Sequence, residues 1–280
     1  KLIDAARRAR TAAAGEAEIV RGIEELEAEM AAARPPDHRL ALMFACAHPA
    51  IEPSARTPLM LQAALGFSAE RIAAAFMVAP ASMSQRLVRA KRKIRESGVG
   101  FAVPETADWP QRFSAVLDAI YAAYAAGWDD PLGADAARRD LAEEAIWLGR
   151  VLAAHVPGEP EALGLLSLML HLEARRNARR DPAGEYVPLD FQDVALWRCD
   201  LIAEAEAALR AAAKLDRIGR YQLEAAIQSA HAARLDRGEA DWEAIALLYS
   251  ALANITGAAP AHLNAAAAIA RRDGPEAGLK

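Results

Sequence analysis

The sequence is poor in aromatic residues and in β-branched runs, and both shortages bear on the fold. Aromatic side chains make up 6% of the 280 residues, although 54% of the residues are hydrophobic. Alanine supplies about a quarter of the chain, and alanine is the best helix former and among the smallest residues at a helix interface. The scarcity of β-branched runs argues against a large sheet. The composition therefore predicts closely packed helices in an all-α fold.

The chain also lacks the features of membrane, secreted and disulfide-bonded proteins. No run of 18 or more apolar residues is free of charge, so no membrane-spanning helix is predicted. The first residues, Lys1-Leu2-Ile3-Asp4, carry no apolar signal-peptide segment. The two cysteines, Cys46 and Cys199, lie far apart, which excludes a disulfide framework and a zinc ribbon. A reducing cytoplasm is the expected location.

No polar pattern typical of an enzyme is present. The six histidines are scattered and form no i, i+4 pair with a carboxylate, so no metal site is expected. Glu143 and Glu144 are neighbours in sequence and would not share a helix face. No glycine-rich phosphate loop occurs. Both cysteines and the five tryptophans are predicted to be core or packing residues. We therefore expect no catalytic activity, no metal and no cofactor.

Charge is distributed unevenly along a chain whose net charge is −5. Residues 1–100 carry a net charge of +4, and residues 101–280 carry a net charge of −9. Within the first part, residues 56–100 contain eight basic and two acidic side chains. This division predicts a small basic unit, suited to nucleic acid, attached to a larger acidic body.

Proline and glycine breaks divide the chain into four parts. We assign a linker with some helix to 1–36, a compact helical unit to 37–100, a connector to 101–112 and a helical array to 113–280. The array has a degenerate similarity to tetratricopeptide repeats, whose period is ~34 residues and whose stacked helices form a concave face. Helices are predicted at about 38–48, 55–64, 69–76, 80–96, 113–126, 134–155, 159–178, 193–213, 219–236, 241–255 and 260–271.

Two helices at the end of the basic unit have the proportions of a helix-turn-helix motif. A short helix over 69–76, with Ser68 as its N-cap, is followed by a three-residue turn and a longer helix over 80–96. One face of the longer helix is apolar and is predicted to be buried. This stripe consists of Met83, Leu87, Ala90 and Ile94.

The opposite face of the longer helix predicts DNA binding. Six of the ten residues 86–95 are basic and none is acidic. Short polar side chains near the start of such a helix can read base edges, and arginines can pair with guanine or phosphate. The basic second half would hold phosphates. From the pattern alone, a merely solvated basic face stays open. The candidate DNA-binding residues are Ser82, Gln85, Arg86, Arg89, Lys91, Arg92 and Lys93.

Several strings resemble extracytoplasmic-function sigma factors of RNA polymerase. Region 4 of that family is similar to residues 57–61 and 68–73 and to the string Arg86-Leu87-Val88-Arg89-Ala90-Lys91-Arg92-Lys93-Ile94. Residues 1–10 resemble the last helix of region 2, and this resemblance implies that nearly all of region 2 lies outside this sequence. The C-terminal part resembles the subgroup with a tetratricopeptide-like extension, through residues 220–231, 241–249 and 263–275.

This resemblance implies a sigma region 4 helix-turn-helix, of the winged-helix-like DNA-binding class, followed by a tetratricopeptide-like domain. It implies a factor that reads the upstream promoter element and docks on core RNA polymerase, at the β flap and at β′. The C-terminal helices would regulate that factor in cis. The family usually has glycine in the turn where this chain has Met77, so we expect a turn without a left-handed residue or one of another shape.

Two other classes of function remain open from the sequence. A helix-turn-helix transcriptional regulator with a sensory helical-repeat domain would bind DNA without RNA polymerase. A repeat scaffold whose basic helix is incidental would bind neither partner.

Overall fold

A computed structural model describes residues 38–96, 109–128 and 136–279, and the regular elements in these ranges are helical. The all-α prediction is thus confirmed, and the described ranges contain no strand, only an isolated bridge between Arg180 and Tyr186. No helix in these ranges is both long and apolar enough to cross a bilayer. The main helices are α1 (His38–Cys46), α2 (Pro53–Ala63), α3 (Ala69–Ala75), α4 (Pro80–Glu96), α5 (Trp109–Trp128), α6 (Ala136–His155), α7 (Pro160–Ala174), α8 (Cys199–Ala213), α9 (Arg220–Ala232), α10 (Arg234–Arg237), α11 (Trp242–Thr256), α12 (Ala259–Asp273) and α13 (Pro275–Gly278).

Several boundaries differ from the sequence prediction. The helix predicted over 159–178 ends at Ala174 and is followed by a 3-10 turn over Arg176–Ala178. Helix α5 begins at Trp109 rather than at 113, inside the predicted connector, whose residues 101–108 lie outside the described ranges. The predicted helix over 193–213 begins only at Cys199, after short 3-10 turns. The predicted helix over 219–236 is divided at Ala233 into α9 and α10. The predicted linker over 1–36 also lies outside the described residues.

Local chemistry fixes the start of α3. The Ser68 hydroxyl accepts a hydrogen bond from the Arg71 backbone N–H at 3.2 Å, which confirms the predicted N-cap. Glu70 lies in the first turn, where backbone N–H and Ser68 hydrogen bonds hold the pKa of its carboxyl below the ordinary value.

The turn between α3 and α4 contains a left-handed methionine. Met77 has a φ of 51° and is 93% exposed. The Val78 N–H donates to the Ala73 carbonyl at 3.0 Å, and the Met77 N–H donates to the Ala74 carbonyl at 3.2 Å, which together form a Schellman C-cap. The expectation of a turn without a left-handed residue was therefore wrong. These hydrogen bonds impose the conformation despite the Met77 Cβ.

Replacement of Met77 with glycine is expected to stabilise the protein by ~0.5–1 kcal/mol. Glycine adopts φ > 0 without the clash of a Cβ, and the exposed Met77 side chain loses little packing. Chemical denaturation followed by circular dichroism measures the change. The matched control is Val78→Gly in the same turn, which lacks a left-handed φ and should destabilise. Equal effects of both substitutions would contradict a left-handed Met77.

One hydrophobic core joins the N-terminal helices to α5, α6 and α7. The fully buried Phe44 of α1 packs on Phe113 of α5, with ring centroids 6.5 Å apart. The guanidinium of Arg112 donates to the Phe44 carbonyl at 3.4 Å. Burial raises the pKa of the Cys46 thiol in the same core to about 12, as expected for a packing residue.

The C-terminal helices pack as successive neighbours. Helix α7 contacts both α8 and α9, α9 contacts α11, and α11 contacts α12. Helices α7 and α9 approach closely at Gly164. A Cβ at this position would lie only 2.6 Å from the backbone N of Gln222. The carboxylate of Glu161 on α7 accepts the N–H groups of Tyr221 and Gln222 at 3.0 and 3.1 Å. It thereby caps the start of α9 and lies over Gly219, where a Cβ would collide with it.

Two predicted core residues are not in the core. Cys199 is exposed at the start of α8, because the helix begins there and not six residues earlier. Trp147 is 40% exposed, and the Arg39 guanidinium covers its ring at 5.2 Å from the centroid. Trp197 is buried as predicted.

Candidate nucleic-acid interface

The basic residues of α4 surround an apolar stripe that anchors the helix. The four stripe residues are between 0% and 6% exposed, as the sequence predicts. They face a core that also contains Leu40, Ile51 and Ile72. Because this stripe fixes the rotation of α4, the remaining faces of the helix are turned outward.

Most of the predicted DNA-binding side chains are exposed on α4. At about 100° per residue, Gln85 and Arg92 point most directly away from the buried stripe, with Ser82 and Arg89 beside them. Lys91 lies on one flank of the helix and Lys93 on the other. The exposed members of the predicted set are Ser82, Gln85, Arg89, Lys91, Arg92 and Lys93.

Arg86 differs from the other predicted residues because it is partly buried. Its guanidinium donates to the Ser54 carbonyl at 3.4 Å, at the start of α2. This contact directs Arg86 toward a cleft of about 300 Å³ between α4 and the 50–55 segment. Arg89, Arg92 and Lys93 line the same cleft. Four cations therefore share one concave surface, whose described acidic residues are Glu52 and Glu96.

The charge of Arg92 on α4 is only weakly paired. Arg92 pairs with Glu96 one turn later at 3.7 Å, and both side chains are more than half exposed. Such a solvent-exposed pair contributes little and can exchange for another anion. The surface that results is a row of cations along one helix, with the geometry of a polyanion-binding face.

Two apolar residues on this surface were missed by the sequence analysis. Val88 is 61% exposed on the outer side of α4, between the polar residues Gln85 and Arg92. Met77 is exposed at the preceding turn. The helical period alone could have identified Val88, because its angular position lies far from the Met83 stripe. Exposed apolar groups of this kind can contact thymine methyl groups in a major groove.

Comparisons with known proteins give one family match, over part of the chain, and one relative that matches nearly all of it. A family of unknown function, DUF6596, matches residues 112–213, which extend from α5 through α8 and exclude α4. An uncharacterized protein of Rhizobium meliloti (strain 1021) is 38% identical over 278 residues. The match covers 98% of this chain and 66% of the relative, so the chain spans just under two thirds of that protein. No solved structure matches the chain significantly.

Proposed function

We propose that the protein is a sigma factor of the extracytoplasmic-function type, which directs RNA polymerase to promoters in the cytoplasm. The observation that carries this proposal is the exposed basic face of α4 opposite a fully buried apolar stripe. In this proposal α3, the turn at 76–79 and α4 are the helix-turn-helix of region 4. Helices α5 to α12 are the tetratricopeptide-like extension, and core RNA polymerase is the protein partner, through the β flap and β′.

The exposed positions on α4 suggest a division of roles in DNA binding. Ser82 and Gln85, in the first turns, are short enough to read base edges in the major groove. Arg89 lies one turn further and can reach a guanine or a phosphate. Arg92 and Lys93 lie beyond it and would hold phosphates, with Lys91 reaching a phosphate from the other flank. Arg86 would reach DNA only by leaving the Ser54 carbonyl.

The acidic C-terminal helices would regulate the basic unit in cis. Support comes from the opposite net charges of the two parts and from the core that α1 and α2 share with α5. Deletion of 113–280 would remove Phe113 and Val116 from that core and would unfold the basic unit. Regulation is therefore better tested by point substitutions on the C-terminal surface than by truncation.

The DNA-binding role is tested by Arg89→Ala, measured by fluorescence anisotropy against a panel of promoter duplexes. We expect a loss of ~1–3 kcal/mol in binding and relaxed preference at one base pair, because a bidentate guanine contact is lost. Arg210→Ala, a comparably exposed arginine on α8, is the matched control and should bind like the parent. An equal loss on all duplexes would make Arg89 a phosphate contact. Unchanged binding would argue against the DNA role.

The polymerase role is tested by capture on core RNA polymerase at moderate salt. The parent chain and the double variant Arg86→Ala/Arg89→Ala are compared in the same experiment. Retention of both proteins would place the docking surface away from the DNA face and support a sigma factor. DNA binding without polymerase retention would instead indicate a transcriptional regulator. A chain that binds neither DNA nor RNA polymerase would instead be a repeat scaffold.

A further inference from the structure

The C-terminal helices line a cavity that is open to solvent on one side and separate from the basic face of α4. It has a volume of about 570 Å³ and lies between α5, α7, α9, α11 and α12. Its walls include the apolar residues Leu168, Ile227 and Leu252 and the charged pair Arg220 and Glu224. Polar groups enter it at a few positions, among them Gln228, Tyr249 and Asn264. This size and this mixture are typical of pockets that hold one small organic molecule.

The orientation of Gln228 is fixed by an arginine behind it. The Arg175 guanidinium donates to Gln228 Oε1 at 2.5 Å. Because arginine can only donate, the amide oxygen must face Arg175 and the amide NH₂ must face the other way. Gln228 lines the cavity, and its Nε2 has no acceptor among the described residues. The cavity wall therefore presents a hydrogen-bond donor that Arg175 polarises.

Arg175 is a buried cation without an anionic partner. It is 9% exposed, and no described carboxylate lies within ion-pair distance of it. Burial lowers the pKa of its guanidinium to about 10. The neighbouring His231 supplies no negative charge in either protonation state, and burial followed by the Arg175 charge lowers its pKa to about 4. A buried charge in this state gains from any anion placed nearby.

The acidic residue that lines the cavity, Glu224, already has a cationic partner. Glu224 accepts a hydrogen bond from Arg220 Nε at 2.7 Å, and Arg220 also lies 3.6 Å from Asp118. Within the described chain, the Asn264 side chain and the Tyr249 hydroxyl have no hydrogen-bond partner. The groups able to donate to a ligand are therefore the Gln228 amide NH₂, the Tyr249 hydroxyl and the Asn264 amide. The buried Arg175 behind Gln228 favours a ligand that carries a negative charge on an apolar body.

We propose that this cavity binds a small organic acid, with its carboxylate against Gln228 and its apolar body against Leu168, Ile227 and Leu252. The carboxylate supplies the negative charge that Arg175 lacks. Asn264 and Tyr249 also line the cavity and can donate to the same carboxylate.

The test compares carboxylates with their neutral amides. The probes are phenylacetate, 3-phenylpropionate and hexanoate, each paired with its primary amide, and binding to the 280-residue chain is measured by ligand-observed NMR. We expect each acid to bind at least about tenfold more tightly than its amide. Equal binding within all three pairs, or binding of neither member of any pair, would overturn the proposal.

Gln228→Glu provides the sharpest variant. A carboxylate at this position would pair with Arg175 and occupy the place of the ligand's charge. The melting temperature should therefore rise by about 2–4 °C, while acid binding is lost and amide binding persists. Asn254→Asp adds the same charge on an exposed position of α11 outside the cavity and should change neither property. Undiminished acid binding by Gln228→Glu would contradict the proposal.

A second variant keeps the test decisive if Gln228→Glu does not fold. Asn264 is exposed on α12 at the rim of the cavity, so its replacement with alanine should leave the fold intact. Asn264→Ala is expected to weaken the acids several-fold and leave the amides unchanged. Equal weakening of acids and amides would indicate a loss of shape alone and would reject the carboxylate contact.

Discussion

Replacement of Phe44 with alanine is expected to destabilise the protein by ~3–5 kcal/mol. The Phe44 ring is fully buried and contacts Phe113, so its removal leaves a cavity at the junction of α1 and α5. The neighbouring Met43 and Leu40 are also fully buried and have little room to fill the space. A loss of this size is a large part of the stability of an ordinary domain.

Urea denaturation followed by circular dichroism measures this loss. Val88→Ala is the control, since Val88 is 61% exposed on α4 and should change stability by less than about 0.5 kcal/mol. The N-terminal helices and α5 share one core, so the basic unit and the helices packed on it should unfold together. Separate transitions, with only one of them shifted by Phe44→Ala, would contradict a shared core.

Reversal of two charges on α4, Arg89→Glu/Arg92→Glu, is expected to weaken promoter DNA binding about 100-fold, or ~2.7 kcal/mol. Each substitution removes a cation from the exposed face and places an anion opposite the phosphates. Both side chains lie outside the buried stripe, so the folded state should be retained. Affinity measured between 50 and 200 mM salt should also show a shallower salt dependence.

The control for this reversal carries the same change in net charge on the acidic body. Arg210 and Lys214 lie at the end of α8 and are exposed, so Arg210→Glu/Lys214→Glu should leave most of the DNA affinity. If both double variants weakened DNA binding equally, the effect would come from overall charge and not from α4.

The sequence was sufficient where structure depends on local periodicity. The stripe through Met83 and Ile94 is buried because residues three and four apart share a helix face. Ser68 caps α3 because its hydroxyl is one turn from the Arg71 N–H. Pro80 begins α4 as predicted, since its fixed φ and missing N–H suit a first turn.

The sequence was insufficient where the partner is distant in the chain. The contact of Arg86 with Ser54 spans 32 positions and turns a predicted base-reading residue toward α2. The cavity at Gln228 needs side chains from five helices, and no local pattern predicts their meeting. The left-handed Met77 follows from the hydrogen bonds of the complete turn, which outweigh the preference of one residue.

The close approach of α7 and α9 has a consequence for how this chain can vary over evolution. Glu161 can cap α9 only if Gly219 leaves space for its carboxylate, and only if Gly164 lets the two backbones come together. A side chain at Gly164 would push the two backbones apart, and a side chain at Gly219 would displace the Glu161 carboxylate. Either change would leave the first N–H groups of α9 without their acceptor. We therefore expect that relatives which keep this helix crossing keep Glu161, Gly164 and Gly219 together.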